Sequence, residues 1–369
     1  MILNSISILN FKNIAEANLS FSQKVNCFTG KNGMGKTNLL DAIYYLSFCK
    51  SYSNQSDLLN ITHESDYMML QGEYIRNNEP EIISCGLQRG KRKVLKRNGK
   101  EYQRLSQHIG LLPLVMVSPM DWELIRGGSE ERRRLIDQII SQSDKNYLAN
   151  LIKYNKGLEN RNSLLKQGIK DKLLFETIEF SLCRAAQEIY AARKRWIEEF
   201  SPIFLRYYRE ISGESEQVSI SYLSHLNDYS MEENLRKSWE KDCAIRYTSK
   251  GVHRDDIELL LGDYSMRKIG SQGQCKTYTI ALRLAQYDFL RTLNGITPIL
   301  LLDDIFDKLD SSRVENIISA VSDSRFGQIF ITDTNRSHLD VIIQRVGSDY
   351  KIYSVENGTC TEAINSEGQ

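Results

Sequence analysis

Residues 30–37 read Gly30-Lys31-Asn32-Gly33-Met34-Gly35-Lys36-Thr37 and directly follow an apolar, strand-like run at 25–28. The stretch from 37 to 48 then carries apolar residues at helical spacing. Strand, glycine-rich turn and helix in that order restrict the chain to folds that aim a helix N-terminus at an anion. The glycines at 30, 33 and 35 let successive backbone N–H groups turn inward around a phosphate chain. Lys36 brings positive charge to the β- and γ-phosphates, and Thr37 offers a hydroxyl to Mg²⁺. The cofactors expected of such a loop are ATP and Mg²⁺.

A second block, Ile299-Leu300-Leu301-Leu302-Asp303-Asp304, is an apolar strand ending in two carboxylates. In a nucleotide hydrolase one acid belongs to the Mg²⁺ shell, here Asp303. The next, Asp304, orients or deprotonates the attacking water. Alone, such a strand end is common, because Asp often caps the following turn. Its place downstream of the glycine loop gives it weight. Between the two lies Ser271-Gln272-Gly273-Gln274, which opens a helix expected over about 274–293. As a bare tetrapeptide it is equally a loop cap. In this order the three blocks resemble the ABC ATPase class, whose signature motif faces the nucleotide held by a second subunit. Leu309-Asp310 resembles the D-loop of that class.

The rest of the 369 residues is read around these blocks. Strands are expected at 2–9, 16–21, 111–117, 217–223, 243–249 and 328–332, with hairpins across 68–105 and an Asn98-Gly99 turn. From Ser129, a plausible N-cap, to about 210 the chain is polar and helical, with breaks expected at Gly157 and Gly168. A further helix is expected at about 311–323, and fraying over the last ten residues. The fold class is therefore α/β: a P-loop ATPase core of two lobes, resembling an ABC or SMC head, with an inserted helical lobe. No sustained heptad run supports a long coiled coil. The division reads as 1–126 for the N-terminal part of the core, 127–238 for the helical lobe, and 239–369 for the C-terminal part. Seven scattered cysteines without a CxxC pair argue against a zinc site or a disulfide framework. With no signal-peptide pattern and no long apolar run, a cytoplasmic protein with no membrane contact is expected.

Five blocks narrow the class further. Leu9-Asn10-Phe11-Lys12-Asn13-Ile14 precedes the glycine loop, which continues Asn38-Leu39-Leu40-Asp41-Ala42-Ile43-Tyr44-Tyr45. Ser118-Pro119-Met120-Asp121 with Leu124-Ile125-Arg126-Gly127-Gly128 and Arg132-Arg133 leads into the helical region. Gly251-Val252-His253-Arg254-Asp255-Asp256 follows it, then the Ser-Gln-Gly-Gln signature and the paired aspartates. In this order they resemble the bacterial RecF family of recombination and replication-repair ATPases, over nearly the whole chain. The resemblance implies an SMC-like head that dimerises on ATP, binds DNA at single-strand gaps or single-/double-strand junctions, and hydrolyses ATP slowly. It also implies partnership with RecR and RecO in loading recombinase. The nucleotide contacts it implies are Lys12, Asn13, Gly30, Lys31, Asn32, Gly33, Met34, Gly35, Lys36, Thr37 and Asn38. Lys36 and Asp304 are catalytic, Thr37 and Asp303 hold metal, and Ser271, Gln272, Gly273, Gln274 and Asp310 act across the dimer.

Three positions depart from the pattern. Ser53 stands where family members commonly carry an arginine, Val252 replaces a proline, and Thr332-Asp333-Thr334 lacks a switch histidine. Competing readings are the soluble ATPase subunit of an ABC transporter and a nucleotide-gated binding module with little hydrolysis.

With 48 Lys+Arg against 47 Asp+Glu, DNA contact has to come from local patches. Eight basic residues lie between Arg89 and Arg104, and Lys91, Arg92, Lys93, Lys96 and Arg97 are the candidates for phosphate contact. The alternative is a solvated edge hairpin guarded by lysines. Arg132-Arg133-Arg134 reads as structural, and Arg184 with Arg193-Lys194-Arg195 as a salt-bridged helix face. His253 either faces ligand or orients its own loop.

Overall fold

The computed structural model describes residues 1–369 apart from 55, 214, 215, 308, 335, 347, 348 and 364–369, and apart from the side chains of 336–338 and 346. Along the chain come β1 (Ile2–Phe11), β2 (Ile14–Ser20), β3 (Val25–Thr29), α1 (Lys36–Phe48), β4 (Tyr67–Arg76), β5 (Glu79–Gln88), β6 (Val94–Arg97), β7 (Lys100–Glu101) and β8 (Leu114–Val117). Next are α2 (Trp122–Arg126), α3 (Ser129–Ser143), α4 (Lys145–Lys166), α5 (Lys172–Ser212), β9 (Val218–Leu223), α6 (Met231–Ile245), β10 (Asp256–Leu261), β11 (Tyr264–Ser265) and α7 (Met266–Ile269). The chain closes with α8 (Gln272–Asn294), β12 (Ile299–Asp303), α9 (Ser311–Val321), β13 (Ile329–Asp333), α10 (Arg336–Val346), β14 (Tyr350–Glu356) and β15 (Thr359–Glu362).

Two compact units divide these elements. The first comprises Met1–Asp121, Glu210–Gly213 and Gln272–Gln369. It holds an antiparallel sheet ordered β2-β1-β4-β5-β6-β7 and a sheet ordered β15-β14-β3-β13-β12-β8, parallel except for β15. The parallel strands read as continuous apolar runs, as strands covered on both faces must. Ile299–Asp303 and Ile329–Asp333 are buried throughout. Helix α1 is apolar on nearly every side, and Leu39, Leu40, Ala42, Ile43, Tyr44, Tyr45 and Leu46 are all buried. They join one core with Leu3, Ile6, Leu70 and Ile83 of the antiparallel sheet and with Phe28, Leu301 and Phe330 of the parallel one. A helix without a wet face belongs between two layers, and α1 occupies that place.

The second unit comprises Trp122–Arg209 and Glu214–Ser271: helices α2 to α7 and a small sheet ordered β11-β10-β9. Its interior is stitched by buried arginines. Arg161 reaches Glu179 at 2.7 Å and Asp242 and Thr248 at 2.8 Å each. Arg193 reaches Asp255 at 2.7 Å and Asp137 at 2.8 Å. Arg132 makes a two-pronged pair with Asp256 at 2.7 and 2.9 Å. Such forks offset the cost of removing guanidinium and carboxylate from water.

These contacts explain where the sequence expectations fail. The boundaries expected at 126/127 and 238/239 fall at 121/122 and 271/272. The acids of 242–256 pair with arginines of α3, α4 and α5, and β10 pairs with β9, so 239–271 stays with the helices. Residues 243–249 form no strand: α6 runs to Ile245 and ends on Arg246 at φ 60°. Gly157 breaks nothing, and its missing side chain leaves room for Leu182, whose Cβ sits 3.3 Å from where a Gly157 Cβ would lie. Gly128, not Ser129, caps α3: Ser129 is already the first helical residue, and its hydroxyl accepts from Arg133 at 2.6 Å. Residues 359–362 form a strand rather than fraying, while 364–369, the rest of the stretch expected to fray, lie outside the described residues.

Candidate nucleotide site

The parallel strands deliver the site at their C-terminal ends, where ligands of open α/β sheets bind. β3 lies between β13 and β14, and β12 follows β13 in the sheet. The loop after β3 is therefore brought beside the acids that end β12. Gly35 caps α1 at φ 111° and, having no side chain, leaves the first amides of the helix without a side-chain cap of its own. Those N–H groups form a ready cradle for an anion. The surroundings leave no room for side chains at two loop positions: a Cβ on Gly35 would lie 2.8 Å from Asn13 Nδ2, and one on Gly30 would overlap the Val355 carbonyl.

Lys36 is buried and donates to the loop's own carbonyls, Gly30 O at 2.7 Å and Lys31 O at 3.1 Å. Burial lowers its pKa, opposed by the charges of Asp304, Asp303 and Asp333. Thr37 Oγ1 donates to Asp303 Oδ1 at 2.9 Å, with Oδ2 at 3.0 Å. Thr332 Oγ1 donates to Asp303 Oδ1 at 2.7 Å, so two hydroxyls fix this buried carboxylate. Burial raises the Asp303 pKa above the usual carboxylate range, partly offset by those hydrogen bonds and by Lys36. Asp304 sits in the left-handed region at φ 48°, its N–H donating to Thr332 O at 3.1 Å. Its pKa is also raised, first by burial and then by the charge of Asp333, with Lys36 pulling the other way. A hydroxyl and a carboxylate held together at a phosphate cradle are hard oxygen donors. That set fits Mg²⁺, which takes one or two carboxylates plus phosphate and water.

Asn38 Nδ2 donates to Asn13 Oδ1 at 2.7 Å, and Asn13 Nδ2 donates to Met34 O at 3.3 Å, so both asparagines buttress the loop. Lys12 is engaged elsewhere, on Asp41 at 2.5 Å and Ser53 at 2.8 Å. Asp41 also accepts from Ser51 Oγ and Tyr52 N, both at 2.6 Å. Ser53 thus has a structural partner in Lys12, where an arginine would bring a second cation. Lys31, Asn32 and Gly33 line the exposed crest of the loop.

Ser271 precedes α8 and is exposed, with Gln272, Gly273 and Gln274 in the first turn of that helix. The turn after these is tied to the segment past Asp304 by Lys276 Nζ, which donates to Asp307 O at 2.5 Å. Asp310 caps α9, accepting from Arg313 N at 2.9 Å and Ser312 Oγ at 2.6 Å.

The basic stretch lies on the β5–β6–β7 edge, with Asn98 at φ 48° and Gly99 at φ 78° making the expected turn. Lys91, Arg92 and Lys96 are exposed. Lys93 is instead drawn onto Asp57 at 2.7 Å and onto the Cys49 carbonyl, and Arg97 pairs with Glu81. Two of the five candidate phosphate contacts therefore face acids of the protein itself. Within the second unit, Arg193 is salt-bridged as expected, to Asp137 and Asp255, but buried, and His253 bonds Tyr154 and Thr248 of its own surroundings.

Sequence reading missed Thr332 as a support of Asp303 and missed the contact of Gly358 N with Met34 O at 2.9 Å. The second had a signal: Asn357-Gly358 between alternating runs marks a hairpin turn.

The family model described as RecF/RecN/SMC N terminal domain matches residues 2–361. The DNA replication and repair protein RecF of Bacteroides thetaiotaomicron is 54% identical over 98% of this chain and 99% of its own length. RecF of Porphyromonas gingivalis is 51% identical over 97% and 99%. A solved structure described as the recombination mediator protein RecF with ATP, in the RecFOR pathway, has a TM-score of 0.88 at 30% identity, covering 98% of each chain. The Smc head domain of Pyrococcus furiosus shares the fold, with a TM-score of 0.58 at 16% identity. Among the described residues no helix is long and apolar enough to cross a membrane. The glycine loop and the paired aspartates thus sit in an SMC-head-like α/β fold, and the chain belongs to the RecF family of DNA replication and repair proteins.

Proposed function

We propose that the protein is a slow, DNA-linked ATPase whose ATP-dependent dimer binds gapped DNA and helps load recombinase. The observation that carries the reading is the Thr37–Asp303 pair, which joins the first turn of α1 to the end of β12 beside a bare helix N-terminus.

On this reading the amides of 33–37 and the α1 terminus receive the ATP phosphates, and Lys36 exchanges the carbonyls of Gly30 and Lys31 for phosphate oxygens. Thr37 and Asp303 would hold Mg²⁺, which when bound neutralises charge on the β- and γ-phosphates. Asp304 orients the attacking water and accepts its proton, a task that its raised pKa favours. Ser271 to Gln274 close the site of a second copy, and the exposure of Ser271 and Gln272 at the start of α8 supports that role. Asp310 lies beside that interface. Lys91, Arg92 and Lys96 are the contacts available to DNA phosphates on the hairpin. RecR and RecO as partners rest on the relative described within the RecFOR pathway.

The test is ATP binding by calorimetry to the wild type and to Lys36→Ala. Losing two charge-assisted contacts should weaken binding by about 100-fold or more with the fold intact by circular dichroism. Equal affinity would refute the site.

A further inference from the structure

The hairpin of β14 and β15 closes the described part of the chain, and nothing in the chemistry above uses it. Its strand β14 pairs in parallel with β3 over Tyr350–Ser354 against Val25–Thr29, the strand that launches the glycine loop. Lys351 Nζ also reaches Ser20 Oγ at 2.9 Å, and Tyr353 bonds the Ser20 carbonyl, so the hairpin is anchored to β2 as well. Its turn, Asn357 at φ 49° and Gly358 at φ 80°, is thereby carried onto the loop.

There Gly358 N donates to Met34 O at 2.9 Å, and Asn13 Nδ2 donates to the same oxygen at 3.3 Å. Met34 and Gly35 share one trans peptide, in which C=O and N–H point in opposite directions. Two donors that fix the direction of the Met34 carbonyl therefore also fix the direction of the Gly35 N–H. We infer that the Asn357–Gly358 turn, with Asn13, is a positioning element of the phosphate loop, setting the Gly35 amide that receives a nucleotide phosphate. The inference rests on reading residues 30–37 as the phosphate site.

Gly358 is buried, and a Cβ there would overlap the Asn13 carbonyl, so Gly358→Ala has to displace the turn or the β1–β2 connection. The molecule contains its own control. Asn98-Gly99 is the same dipeptide at nearly the same angles, φ 48° and 78°, but a Cβ on Gly99 meets nothing within 4 Å. Gly99→Ala carries the backbone strain without touching the loop.

The experiment measures ATP affinity, without DNA, for the wild type, Gly358→Ala, Gly99→Ala and Lys36→Ala. It also follows the Gly35 amide by NMR in ¹⁵N-glycine-labelled protein as ATP is added. Gly358→Ala should bind ATP about tenfold more weakly, the worth of one charge-assisted hydrogen bond. Its Gly35 amide should lose the ATP-induced shift, while Gly99→Ala matches the wild type in both. If Gly358→Ala does not fold, Asn13→Ala decides, with weaker binding and a reduced Gly35 shift expected. Wild-type affinity and an intact Gly35 shift in whichever variant folds would overturn the inference. If instead Lys36→Ala binds ATP like the wild type, the phosphate-site reading itself has failed.

Discussion

His253 offers a sharp pH test of how the second unit is held. Its Nε2 lies 3.0 Å from the Thr248 carbonyl, which can only accept, so Nε2 carries the proton. Its Nδ1 then accepts from the Tyr154 hydroxyl at 2.6 Å. A proton added to Nδ1 would face that hydroxyl donor-to-donor, and burial plus the charges of Arg254, Arg133 and His225 oppose it further. The pKa is accordingly lowered from 6.5 to about 4, with burial the largest cause. The unfolded chain binds this proton more readily, so the neutral ring's stabilisation is complete above pH ~6.5 and is lost as pH falls toward ~4. Holding the ring neutral down to about pH 4 is worth roughly 3.4 kcal/mol in full, of which about 2 kcal/mol is lost between about pH 7.5 and about pH 5. Trp122, Trp196 and Trp239, all the tryptophans of the chain, lie in the second unit, so their fluorescence in urea reports that unit's unfolding. His253→Gln keeps hydrogen-bonding capacity without titrating. Its stability should fall by about 2 kcal/mol less than the wild type's over the same pH interval. An identical pH dependence in both proteins would refute the reasoning and reopen a ligand-facing role for this histidine.

Asp304→Asn should retain ATP binding while hydrolysis, followed by phosphate release, falls about 10²–10⁴-fold. Unchanged turnover would remove Asp304 as the base. On the basic hairpin, Lys96→Ala should weaken DNA binding and lower the slope of log affinity against log salt by about 1. Lys93→Ala should leave that slope alone and instead lower stability by about 1–2 kcal/mol, because its ammonium serves Asp57.

Local chemistry made the phosphate loop and the paired aspartates readable, since strand, turn and helix are contiguous there and each carries its own period. The same contiguity gave β12, β13 and the Asn98-Gly99 hairpin. Long-range pairing hid the rest. Nothing adjacent to Asp242, Asp255 or Asp256 shows that three arginines of α3, α4 and α5 hold them. Residues 243–249 are β-prone, but the capping box of Ser230 and Glu233 starts a helix, α6, that runs to Ile245. Lys93 and Arg97 look solvated in sequence, and only the fold shows that Asp57 and Glu81 lie across from them. Thr332 had no motif to announce it, because its role depends on β13 lying beside β12 in parallel register.

If Ser271 to Gln274 of a second copy complete the proposed site at 30–37, ATP has to bring two copies together. Light scattering of the wild type and of Ser271→Arg, each with and without Mg-ATP, tests it most directly. ATP should double the molar mass of the wild type, while Ser271→Arg should still bind ATP and remain a monomer. A wild-type mass that ignores ATP, or a Ser271→Arg variant that dimerises like the wild type, would contradict it.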